Sequence, residues 1–270
     1  MSGGERIEAA LARARVEGRL GLIPYLMGGF PDPTRFDELL VEVARRADVV
    51  EVGLPFTDPV ADGPVIQEAG RRALAAGVDL ERVLAAVARL RASGDPDAAD
   101  TPLVLMTYLN PLFARGLERS VEELAAGGFD GLIVPDLPLE ESDELLPVAE
   151  RHGLAVVQLV TPLTPAARAA RLAERTRGFL YAVTRTGITG AKADTGDVRA
   201  RLAELRRLSA APVCAGFGLR SPEQVHALRD VVDGAIVGTA LLEPLLAGGD
   251  PLPLLDALAA AARGEVPAGT

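Results

Sequence analysis

Glu51 and Asp62 lie in one short stretch, and their neighbours give the two carboxyl groups unlike surroundings. Glu51 sits between Val50 and Val52 in an apolar run. Asp62 follows a loop stiffened by Gly53, Pro55 and Pro59, just ahead of a Gly63-Pro64 pair that opens a helix. Desolvation favours the neutral form of a carboxyl group, so Glu51 is expected to hold a proton at neutral pH, and Asp62, in a polar loop, to stay ionised. Two carboxyls so divided can act as acid and base. Structural roles stay open for both: Asp62 as the cap of the helix that Pro64 begins, Glu51 as the strand-end partner of an arginine.

Other chemistries lack their residues. The one lysine, Lys192, lies in a loop beyond the sixth apolar run, whereas a Schiff-base mechanism needs a desolvated lysine on the scaffold. Two separate histidines, His152 and His226, and one cysteine, Cys214 in an apolar run, make no usual zinc or iron set and leave no internal disulfide. Asp58 and Asp62 are close enough in sequence to leave a carboxylate-held Mg²⁺ open, although Asp58 before Pro59 is an ordinary turn residue. The expectation is acid–base chemistry without a metal.

The elements that must hold this pair are eight short apolar runs, at 22–27, 49–52, 103–106, 131–134, 155–160, 179–183, 212–215 and 234–237. Segments of helical period separate them, such as Phe36, Leu39, Leu40 and Val43. Near-continuous apolar runs suit parallel strands covered on both faces. Asp32-Pro33, Thr164-Pro165 and Asp250-Pro251 read as capped helix starts, and 120–123 and 221–224 as capping boxes. The expected fold is an α/β protein, a closed (β/α)₈ TIM barrel with an extra N-terminal helix and a C-terminal phosphate-binding region; an open doubly wound sheet is the alternative. In such a barrel the site forms where strands end and helices begin. Glu51, Asp62, Tyr108, Asn110, Asp136, Tyr181 and Thr189 fall on that face; His152 and His226 do not.

Composition is consistent with this. The 270 residues, 49% apolar, can bury one large core, so residues 1–270 are expected to form a single domain. A net charge of −10 without a basic run speaks against nucleic acid or an anionic membrane as partner. No apolar run is long enough for a membrane span, and the charged N-terminus lacks a signal core, so a cytoplasmic protein is expected. Any anion must be held by local dipoles. Gly187 and Gly190 follow the sixth run, Gly216 and Gly218 the seventh, and Gly238-Thr239 the eighth. Glycines let backbone amides approach an anion, and a helix starting near Thr239 would direct its positive end at it, so a phosphate ester is the expected substrate.

EVGLPFTDPVADGPVIQ at 51–67, MTYLNP at 106–111, FDGLIVPDLPLEES at 129–142, YAVTRTGITG at 181–190, AGFGLRSPEQV at 215–225 and GAIVGT at 234–239 closely resemble the tryptophan synthase alpha subunit family, in order and over essentially the whole chain. The resemblance implies a (β/α)₈ barrel that cleaves indole-3-glycerol phosphate to indole and glyceraldehyde 3-phosphate. It implies that Glu51 and Asp62 are catalytic, and that Tyr181, Phe217 and Tyr25 flank the indole. By the same likeness Thr189 steadies the aspartate from a closing loop, and Gly190, Gly218, Gly238 and Thr239 bind phosphate. The implied partner is a beta subunit carrying pyridoxal phosphate, in an alpha2beta2 heterotetramer, with Asp58 and the loops after the second, third and sixth strands as docking surface and no cofactor on this chain. A stand-alone lyase and a weakly catalytic activator of a beta chain are the alternatives. Met27-Gly28-Gly29, Phe30, Thr184 and Thr186 depart from the usual pattern. Met27 is expected to alter the shape of the indole pocket.

Overall fold

Eight parallel strands form where the apolar runs fall: β1 (Gly21–Met27), β2 (Val50–Gly53), β3 (Leu103–Met106), β4 (Gly131–Ile133), β5 (Ala155–Val160), β6 (Leu180–Val183), β7 (Val213–Gly216) and β8 (Gly234–Val237). Each pairs with the next, and β8 pairs with β1, closing a barrel. The computed structural model describes residues 1–184, 195–216 and 218–265, and of 195–197 the backbone alone. Every residue of β1, β2, β3, β4, β7 and β8 is buried, as expected of parallel strands with side chains inside and helices outside. No helix among the described residues is long and apolar enough to cross a membrane.

The leading helix, Gly3–Val16, starts at a Ser2–Glu5 capping box, and its Ile7 and Leu11 are fully buried. Asp32 caps the helix Pro33–Ala44 by accepting from the Thr34 and Arg35 amides at 3.0 and 3.1 Å. At the start of Pro222–His226, Gln224 Oε1 accepts from the Ser221 amide at 3.2 Å, as its capping box requires. Three expected helix starts differ, and at Asp250-Pro251 the N-cap is Pro251 although Asp250 accepts the Leu252 amide at 3.1 Å. Ser120 lies inside Leu117–Ala126 and donates to the Leu112 carbonyl at 3.1 Å, because Gly116, at φ 94°, turns the chain and starts the helix earlier. Thr164 accepts from the Thr161 amide at 2.9 Å, closing its own loop, and the helix Ala166–Arg175 begins at Pro165 without a side-chain cap.

At the N-terminal mouth a device repeats four times. A side chain ahead of each even strand accepts the amide of a residue on the preceding odd strand: Asp48 from Leu22 (2.9 Å), Asp130 from Leu103 (2.9 Å), Thr176 from Gln158 (3.0 Å) and Asp233 from Val213 (2.9 Å). The three aspartates are also paired with arginines: Asp48 with Arg19, Asp130 with Arg6 and Arg91, Asp233 with Arg206. Asp130 is buried, whereas Arg6 and Arg91 are part-exposed, so what its removal costs is chiefly the hydrogen bonds it accepts. Asp130→Ala is therefore expected to cost about 1–3 kcal/mol of stability, read as a lower urea midpoint, while the folded variant keeps its catalytic face.

Candidate active site

Tyr25 on β1 and Glu51 on β2 are register partners, so both side chains face the barrel interior. Glu51 is 1% exposed, and its Oε2 has no hydrogen-bond partner among the described residues. Burial first, and the charge of Asp62 second, raise its pKa from 4.5 to about 8. It forms no ion pair among the described residues, so the arginine-partner reading falls away.

Asp62 differs from its sequence expectation. It is only 8% exposed, and burial lifts its pKa to about 6, against the lowering effect of a hydrogen bond from the Tyr108 hydroxyl. The loop is polar, yet its last carboxylate is drawn into the barrel mouth. The helix Pro64–Ala75 takes Gly63 as its N-cap, so capping is not what Asp62 does. The order of the two carboxyls survives. At neutral pH Glu51 is largely protonated and Asp62 largely ionised.

The pair opens into a cavity of about 110 Å³, lined also by Tyr25, Tyr181, Gly218, Gly238 and Thr239, with Ile66, Met106, Leu219 and Ile236 as apolar wall. Larger cavities of about 410 and 420 Å³ lie elsewhere, and neither contains Glu51 or Asp62. Perturbed titratable groups, more than volume, mark the site. The helix Thr239–Leu246 begins at this cavity with Gly238 as N-cap and the Leu241 amide on the Gly238 carbonyl at 2.9 Å, so the amides ahead of Leu241 and the positive end of the helix face an anion there. Thr189, Gly190 and Phe217 lie outside the described residues.

Two glycines give the tyrosines their room. A methyl group on Gly53 would lie 2.0 Å from the Tyr25 hydroxyl, and one on Gly216 would lie 2.5 Å from that of Tyr181. Gly53→Ala is accordingly expected to displace Tyr25, at a stability cost of about 1–3 kcal/mol. A lower melting temperature together with a raised KM checks this. Met27 is buried, with its sulfur 4.0 Å from the Tyr25 hydroxyl, and does not line the cavity. The effect on pocket shape expected of Met27 would have to pass through Tyr25.

All three tyrosines of the chain, Tyr25, Tyr108 and Tyr181, interact electrostatically with the carboxylate pair. The contact between Tyr108 and Asp62 was not legible from spacing alone. Nor was that of Gln67, whose Nε2 donates to the Asp62 carbonyl at 2.9 Å. Asp136 has a local task, accepting from the Leu109 amide at 2.9 Å. Asp58 is exposed and accepts from the Thr57 hydroxyl at 2.6 Å, with Val60 (79% exposed) close by on the same loop. His152 pairs with Glu118 at the surface, and Cys214 is buried, its thiol pushed up by burial.

A family model described as tryptophan synthase alpha chain matches residues 11–251. The tryptophan synthase alpha chain of Deinococcus radiodurans is 42% identical, covering 97% of this chain and 96% of its own. That of Prochlorococcus marinus is 46% identical over 89% of this chain and 87% of its own. Among solved structures, tryptophan synthase subunit alpha from Legionella pneumophila superposes with a TM-score of 0.86 at 33% identity, covering 98% of both chains. Tryptophan synthase from M. tuberculosis gives 0.86 at 33% identity over 96% of this chain and 98% of that one.

Proposed function

The chain belongs to the tryptophan synthase alpha chain family, and from that premise we propose that Glu51 and Asp62 together carry the cleavage step. It is a carbon–carbon lyase of tryptophan biosynthesis, splitting indole-3-glycerol phosphate by a retro-aldol reaction into indole and glyceraldehyde 3-phosphate. Protonated Glu51 delivers its proton to indole C3, which turns that carbon into a leaving group. Ionised Asp62 stabilises the positive charge that develops at the indole N–H. Glu51, now a carboxylate, takes the proton of the glycerol hydroxyl as the carbon–carbon bond breaks and the carbonyl of the aldehyde forms. The proton count closes, with Glu51 protonated again at the end. The protonated indole ring accepts the electron pair, the role a lysine-derived imine has in other aldolases.

The observation that carries this reading is two buried carboxyls lining one cavity, Glu51 with Oε2 unpartnered among the described residues and Asp62 on the Tyr108 hydroxyl, the first raised further than the second. Tyr25 and Tyr181, with Phe217, would flank the indole. Gly218, Gly238 and Thr239, with Gly190, would hold the phosphate, supported by the helix that begins at Thr239. Thr189 would steady Asp62. The family's partner is the beta subunit, and the reading extends to an alpha2beta2 heterotetramer in the cytoplasm, with pyridoxal phosphate on the beta chain and no cofactor on this one. Asp58, exposed Val60 and Phe113, 61% exposed on the loop side of β3, suit a docking rim there.

The test is steady-state release of glyceraldehyde 3-phosphate from indole-3-glycerol phosphate by the chain alone and with a cognate beta subunit. Slow release alone and strong stimulation by beta is the expected result. Fast release without beta would make it a free lyase and remove the partner.

A further inference from the structure

The geometry points to Tyr108 and Gln67 as positioning residues that pre-form the loop carrying Asp62, so that its carboxylate is aimed into the cavity before substrate arrives. This rests on the reading of Asp62 as the ionised member of the pair. The loop after β2 exposes Thr57, Asp58, Val60 and Ala61, then buries Asp62 in the next position. An exposed segment with few apolar contacts opens readily, so delivering one carboxylate to a fixed point requires tethers.

Two are present, on opposite sides. The Tyr108 hydroxyl accepts the Ala61 amide at 2.9 Å and donates to the Asp62 carboxylate. Its ring stacks on Phe56 at 5.2 Å between centroids, so the same side chain grips the start and end of the loop. Asp136 fixes the backbone beside Tyr108 through the Leu109 amide. From the other side, the Gln67 amide donates to the carbonyls of Asp62 (2.9 Å) and Pro59 (3.3 Å), tying the loop to the first turn of its own helix. Of these two tethers, Tyr108 reaches the carboxylate and Gln67 reaches carbonyls alone. Asp62 faces Glu51 on β2, Tyr25 on β1, Tyr108 after β3 and Tyr181 on β6, and Asp136 after β4 acts on Tyr108.

That difference separates the two tethers experimentally. Tyr108→Phe keeps the ring and its stack but removes the hydroxyl. Its kcat is expected to fall about tenfold to a hundredfold with KM little changed, and the acid limb of its kcat/KM profile to move up by about one pH unit, because the anion has lost a donor. Gln67→Leu should lower kcat with the acid limb in place, since its amide reaches only carbonyls. Circular dichroism and melting curves confirm that each variant is folded, and either one suffices for the test of positioning. Asp62→Asn is the control. If it cleaves at a near-normal rate, the assignment of Asp62 is wrong. If Asp62→Asn is inactive while folded Tyr108→Phe keeps both rate and acid limb and folded Gln67→Leu keeps its rate, the assignment stands and the positioning role is overturned.

Discussion

Glu51→Gln is expected to lower kcat by about a thousandfold while leaving the protein at least as stable. Glutamine matches the size of the glutamate and makes no new cavity, but it cannot deliver a proton to a carbon. The stability half of the prediction follows from linkage. In the folded chain the Glu51 pKa is raised from 4.5 to about 8. Between those values the native state holds a proton that the unfolded chain has released, so stability declines as pH rises through this window and its full value lies below it. Glutamine does not titrate. The melting temperature of the variant should therefore hold level where that of the wild type falls, and exceed it at the alkaline end. Inactivity with a lower melting temperature at every pH would instead indicate misfolding.

Asp62→Asn should lower kcat by about a hundredfold to a thousandfold, the scale of removing one preorganised electrostatic group from a developing charge. Its pH profile carries a sharper test. In the wild type kcat/KM should be bell-shaped, rising as Asp62 ionises near 6 and falling as Glu51 loses its proton near 8. The asparagine variant has no acid limb to show. Its alkaline limb should also move to lower pH, because the charge of Asp62 is one of the two causes that raise Glu51. A limb that stayed in place would mean that the two groups are not coupled across the cavity.

The barrel was legible because its signal is local. A parallel strand buried on both faces must be a short apolar run, and β3 and β5 begin and end where Leu103, Met106, Ala155 and Val160 mark them. Glu51 was legible for the same reason, a carboxyl flanked by two valines. Asp62 was only half legible. Its position before Gly63-Pro64 is in the sequence, but its burial and its hydrogen bond from Tyr108 arise only with β3 beside β2. The clamps at Asp48, Asp130, Thr176 and Asp233 are not legible in the sequence, because each side chain bonds to a strand set beside it by barrel closure. Ser120 carries a capping pattern without capping, because a serine followed by a glutamate caps only where a helix starts, and Gly116 starts this one sooner.

In this account Glu51 holds a proton at neutral pH within a site where Asp62 does not. Infrared difference spectroscopy, wild type against Glu51→Gln over a pH series, reads this directly. A protonated-carboxyl band present at neutral pH in the wild type, absent from the variant and lost as pH passes about 8, is the expected result. If the wild type shows no such band at neutral pH, Glu51 is already ionised and cannot be the acid that protonates the indole ring.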